Sequence, residues 1–132
     1  MQWLGIVVHH SASHDVDANT IDRWHREKGW AGVGYHFVIR FDGSIEPARD
    51  WKAVGAHAYG RNSTHLGICL TGNFNQHSPT EEQLRSLMLL VRGLQSRFGI
   101  KSVEQHHEEC PGKLFPWAEF IQELENLKGK EE

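Results

Sequence analysis

Two cysteines are too few to staple this 132-residue chain, which excludes a small scaffold built on disulfides. Cationic excess is missing too: the net charge is −3 with histidine neutral, and Lys and Arg are scattered along the chain. That leaves no electrostatic footprint for a nucleic acid or an anionic membrane surface. No apolar run is long enough to cross a bilayer. The opening "MQWLGIVVHH" lacks a basic start and a small-residue cleavage site, so it reads as a strand rather than a signal peptide. A protein made in the cytoplasm without such a signal is the expectation. Repeats and low-complexity linkers are absent as well, which leaves one domain over residues 1–132, with a core of about 3–127 and a tail at 128–132 expected to fray.

What remains is ordinary globular material, 39% hydrophobic and 23% charged, enough to bury a core. "WLGIVV" (3–8) reads as a buried strand ending at His9. In "DANTIDRWHREKG" Asn19 is the expected cap, with Asp22 three residues on and Gly29 as the stop. Tyr35, Phe37, Ile39 and Phe41 alternate with polar and apolar partners ahead of Asp42-Gly43, a hairpin signal. "HLGICLTG" (65–72) is a second buried strand. The clearest helix is 79–98, with Ser78 and Glu81 as its expected capping box around Pro79. Leu84, Leu87, Met88, Val91, Leu94 and Phe98 form its apolar stripe, and Gly99 ends it. A last helix spans about 116–127 through Trp117, Phe120, Ile121, Leu124 and Leu127. The fold class is therefore α/β: a single domain with a central mixed β-sheet flanked by helices.

Chemistry concentrates in "QHHEECPGK" (105–113), which sets two histidines, two glutamates and a cysteine side by side. His106 and Cys110 stand four positions apart, a spacing that fits one helical turn or one tight loop. A catalytic zinc site takes three protein ligands and keeps a fourth position open. The end of a rigid strand is the best platform for a third donor, and "VVHHS" offers His9 or His10 there. Two imidazoles and a thiolate suit Zn²⁺, whereas Mg²⁺ or Ca²⁺ would want carboxylates. The residues alone do not decide which histidine of either pair binds. Cys69, in an apolar run, reads as a buried, inert thiol, with a pairing to Cys110 left open.

"VVHHSAS", "GVGYHFVIRFDGSIEPARD", "VGAHAYGRN", "LGICLTGNF" and the late "HH…CPG…FPW" occur in the order seen in a known family. The chain resembles the zinc-dependent N-acetylmuramoyl-L-alanine amidases, which include phage lysozymes of amidase type and the peptidoglycan recognition proteins. The likeness runs from about residue 5 to 118. The resemblance implies that fold, a Zn²⁺ cofactor on His9, His106 and Cys110, and Tyr35 as a catalytic residue. It implies His57 and Asn62 as substrate contacts. Arg49 is read as meeting a stem-peptide carboxylate or as a surface pair with Asp50, and His36 as a substrate contact or, with His10 and His107, as a supporting or surface residue. Trp30 and Trp51 are left between groove and core.

One segment departs from the family. Phage enzymes of this type have a longer stretch between the second histidine and the cysteine, with a lysine that assists catalysis; here it is "HEE". Glu108 or Glu109 stands where that lysine would be, as a general base, a partner of a ligand histidine, or a solvated acid. Other members carry a threonine there.

The reading is a peptidoglycan hydrolase that cleaves the amide between N-acetylmuramic acid and L-alanine, of phage or prophage lysis type. It would act on the wall after release, on a muropeptide substrate, as a monomer, with no nucleic acid and no membrane span. A recognition module that binds peptidoglycan without cutting it is the alternative, and a closed structural zinc domain is a third.

Overall fold

Residues 2–131 are described by the computed structural model; Met1 and Glu132, the two ends of the expected domain, lie outside them. The first strand, β1 (Gly5–His10), is buried along its whole length. It starts later than expected because Leu4 is exposed, while Trp3 is buried with its indole N–H donating to the Trp51 carbonyl. It ends later because His9 pairs with Cys69 and His10 with Leu70 of β4 (His65–Leu70).

Around these strands stand β2 (Phe37–Ile39), β3 (Ile45–Pro47) and β5 (Ser102–Gln105), in the order β3-β2-β4-β1-β5. β3 is antiparallel to β2 and the other pairings are parallel, so the sheet is mixed. The expected hairpin turns at Asp42-Gly43, where Gly43 takes φ 86°. β5 was not anticipated: Val103 alone among its residues is apolar, so it shows no alternation.

Strand alternation separates two cores. Ile6, Val8, Ile39, Leu66, Ile68 and Leu70 pack with α2 (Glu81–Phe98) and α3 (Trp117–Glu131) through Leu87, Val91, Phe120 and Leu124. Leu87 alone, fully buried, contributes about 2 kcal/mol of transfer free energy. Val38 and Cys69 pack instead with Ile21 of α1 (Ala18–Glu27). Trp51 joins the larger core, against Phe98. Both cysteines are free and buried, so the Cys69–Cys110 pairing is not formed.

Three helix ends differ from the sequence reading, each for a local reason. Asp17, not Asn19, caps α1, its carboxylate accepting from the Thr20 N–H and hydroxyl at 2.8 and 2.6 Å. Asp22 instead takes Arg26 and the Val33 N–H. "SPTEEQ" contains two overlapping capping boxes, and the one formed is Thr80/Gln83 rather than Ser78/Glu81. Gln83 wins because its amide, fully buried, also donates to the Ile39 and Thr71 carbonyls at the ends of β2 and β4. α3 continues past Leu127, since Gly129 alone weakens a helix by only about 1 kcal/mol without ending it.

Candidate metal centre

β1, β4 and β5 run parallel, and the segments that leave their carboxyl ends meet in one place, where open α/β sheets bind ligands. β1 delivers His9 and His10, β4 leads to Phe74 and Asn75, and β5 leads directly into His106. The donor atoms of His9, His106 and Cys110 all lie within 4.8 Å of one another.

His9 is 1% exposed, so its ring is set by partners rather than by water. Its Nε2 lies 2.9 Å from His57 Nδ1, and His57 Nε2 lies 2.9 Å from the His65 carbonyl. A carbonyl only accepts, so the proton of His57 sits on Nε2 and its Nδ1 is bare. His9 Nε2 therefore donates, which leaves the His9 Nδ1 lone pair facing Cys110 Sγ at 3.7 Å. Burial, with His57 and His106 nearby, holds the His9 pKa well below its ordinary value. Burial likewise lowers His57 to about 4. Both rings are neutral at pH 7, the form that coordinates a metal.

Gly67 makes room for this relay. A Cβ there would stand 2.6 Å from His57 Cγ, closer than real contacts allow.

Cys110 closes a tight loop. The His107 N–H donates to the Cys110 carbonyl and the Cys110 N–H to the His107 carbonyl, both at 3.0 Å. This hairpin turns the thiol and the His106 ring toward one point and leaves Glu108 and Glu109 exposed at its tip. Asn75 pins the far side, donating from Nδ2 to the Glu109 carbonyl and accepting the Lys113 N–H. Burial pushes the Cys110 thiol up to about 11, against a pull from the His10 backbone N–H. A divalent cation between these donors would replace the thiol proton and offset that burial. Two neutral imidazoles and a sulfur with no carboxylate among them fit zinc rather than a hard cation.

The three donors line a groove of about 420 Å³. His25, Lys28, Trp30, Asn75, His107 and Glu109 line it as well. Trp30, 44% exposed, is thus a groove aromatic. The Tyr35 ring lies 5.0 Å from that of His9, and burial raises its phenol pKa well above the ordinary value.

Several expected substrate contacts are otherwise engaged. His36 is fully buried, its Nε2 on the Ala53 carbonyl and its Nδ1 accepting the Gly67 N–H, so it has no face left for a ligand. Asn62 accepts the His57 and Ala58 N–H groups and supports their loop. Arg49 donates to the Val54 and Val33 carbonyls, tying two loops together. None of these three lines the groove, nor does Glu108, whereas Glu109 and His57 do. His57 is chiefly the partner of His9. His10 lines the groove as well and accepts the Phe74 N–H at 3.0 Å.

The sequence reading passed over His25, Asn75 and Arg61. His25, buried at the end of α1, accepts the Gly34 N–H and faces Trp30 and Tyr35. A histidine on the same helical face as Ile21 was its one visible signal.

Residues 1–113 match the family described as N-acetylmuramoyl-L-alanine amidase. The chain is 40% identical over 114 residues to the endolysin of Escherichia phage T7, covering 80% of this chain and 76% of that protein. It is 33% identical over 122 residues to peptidoglycan-recognition protein SC2 of Drosophila melanogaster, covering 80% and 66%. Among solved structures it is similar to the N-acetylmuramoyl-L-alanine amidase LysC from Clostridium intestinale, with a TM-score of 0.91 and 39% identity over 95% of this chain and 87% of that one. The expected single-domain α/β architecture is therefore the one the chain adopts.

Proposed function

Since the chain belongs to the N-acetylmuramoyl-L-alanine amidase family, we propose that it is a peptidoglycan hydrolase that cleaves the amide between N-acetylmuramic acid and L-alanine. One observation carries this reading: His9, His106 and Cys110 converge at the floor of an open groove, with the Tyr35 ring beside them. His9 Nδ1, an imidazole nitrogen of His106 and the Cys110 thiolate would hold Zn²⁺. Bound there, the ion would polarise the scissile carbonyl and bring the pKa of a water toward ~7.

The chain's own groups do the rest. The Tyr35 hydroxyl, protonated at neutral pH, donates a hydrogen bond to the carbonyl oxygen as it gains negative charge. His57 keeps His9 in the tautomer that leaves Nδ1 free. The departing alanine nitrogen needs a proton, and we assign its delivery to Glu109 rather than Glu108, because Glu109 is the one carboxylate among the described residues that line the groove. The endolysin relatives support a phage-type lysis enzyme that reaches the wall after release, and we read it as acting as a monomer.

The relatives named as recognition proteins favour a second reading, a module that binds peptidoglycan without cutting it. The complete donor set with Tyr35 beside it argues for cleavage. Mass spectrometry of products from purified peptidoglycan, with wild type and Cys110→Ser side by side, decides. Free stem peptides beginning at L-alanine from wild type only are expected. Intact peptidoglycan that retains the protein would leave the recognition module.

A further inference from the structure

β5 ends at Gln105, so His106 has no strand partner among the described residues, and the loop's own pair of hydrogen bonds begins only at His107. His106 therefore sits at a joint, where the backbone needs another anchor if its ring is to hold one direction. Arg61 supplies it. Its Nη1 donates to the Gln105 carbonyl at 3.2 Å and to Glu104 Oε1 at 3.0 Å, and its Nη2 donates to the His106 carbonyl at 2.8 Å. Arg61 is itself fixed: its N–H donates to the Ala58 carbonyl, and its carbonyl accepts the Thr64 and His65 N–H groups. Glu104 is held in turn by His65 and Ser102.

We propose that Arg61 is a positioning residue for the metal centre, its planar fork fixing His106, at the joint between β5 and the loop, as a ligand. The inference rests on the metal reading above. The segment 55–64 then serves both imidazoles, because it also carries His57, which orients His9. Only a guanidinium spans two successive carbonyls and a carboxylate at once; a lysine ammonium keeps the charge and loses the fork.

The test compares wild type, Arg61→Lys and Glu104→Gln. Zn²⁺ affinity is read by chelator competition, the visible spectrum is recorded with Co²⁺, and hydrogen exchange of residues 105–110 is followed in metal-free protein. Arg61→Lys is expected to bind Zn²⁺ about 10–100-fold more weakly, with a shifted Co²⁺ spectrum and faster exchange. Glu104→Gln removes the ion pair but keeps both carbonyl contacts, and is expected to change affinity less than about fivefold. Wild-type affinity and spectrum in Arg61→Lys would overturn the proposal, as would equal losses in the two variants. If wild type bound neither ion, the metal reading itself would fall, and unchanged exchange in Arg61→Lys would then show separately that the joint does not depend on Arg61.

Discussion

His9-His10 and His106-His107 are the same dipeptide placed on two kinds of backbone. In β1, alternation sends the two rings to opposite faces. His9 lies in register with Cys69 and Val38 on the α1 side, and His10 lies level with Leu70 and Ile39 on the α2/α3 side, against Phe74. The loop pair has no such rule: its rings stand 4.5 Å apart, His106 half-buried and His107 exposed. His9 inherits its position from the sheet, and His57 sets its tautomer. The segment around His106 is tied instead by bonds from Arg61 and Asn75 and by the His107–Cys110 pair.

The largest effects separate the members of the strand pair. His9→Ala removes a buried donor and is expected to abolish both metal retention and release of stem peptides, as is Cys110→Ser. His10→Ala leaves the donor set intact and removes the acceptor for the Phe74 N–H, costing about 1–3 kcal/mol of stability while cleavage per folded molecule persists. Metal content, product assays and urea unfolding on the same preparations check this. Loss of metal from His10→Ala comparable to that from His9→Ala would break the comparison. Next in size is Tyr35→Phe, which keeps the ring against His9 and removes the hydroxyl. It is expected to lower kcat by roughly 10²–10³ with metal content unchanged. A parallel loss of metal would move Tyr35 from chemistry to support.

The convergence of His9, His106 and Cys110 was legible because strand ends, a four-residue spacing and the family's motif order are all local in sequence. Which histidine of each pair turns inward came from the resemblance and not from the residues. The partners were illegible for a physical reason: His57 meets His9 48 positions away, and Arg61 meets the His106 carbonyl 45 positions away. His36, Asn62 and Arg49 each bond a backbone group, Asn62 within its own segment and the other two across the fold, and only the folded chain shows those longer pairings. β5 escaped because an edge strand with one apolar residue carries no periodic signal, and yet it sets where His106 begins.

A smaller effect should come from the relay itself. His57→Gln and Gly67→Ala reach the His9 tautomer by different routes, the first by replacing the acceptor, the second by crowding the ring. Both are expected to weaken metal affinity by about 10–100-fold, read by chelator competition. If Gly67→Ala bound metal like wild type, the His57 ring would have room to retreat, and the strand ligand would be less tightly specified than its burial suggests.

The smallest effect tests whether the strand side is held from beyond the site. Asp15, in the segment after β1, accepts the Thr71 hydroxyl, the Arg40 guanidinium and the Phe41 N–H. Burial opposes its charge, but the Arg40, Thr71 and Phe41 bonds outweigh it, and its pKa lies below the ordinary carboxylate value. A depressed carboxylate stabilises the fold above its unfolded pKa and loses that contribution as pH falls through the folded value. Asp15→Asn is therefore expected to cost about 1–2 kcal/mol at pH 7, with the gap from wild type narrowing once the pH drops below the ordinary carboxylate range. Urea unfolding at neutral and acid pH reads this directly. Metal affinity should stay at the wild-type value, because His9 takes its position from the β1–β4 register and not from the loop that follows. A gap that persisted in acid would assign the loss to packing rather than to charge, and a fall in affinity would show that the sheet does not hold its ligand unaided.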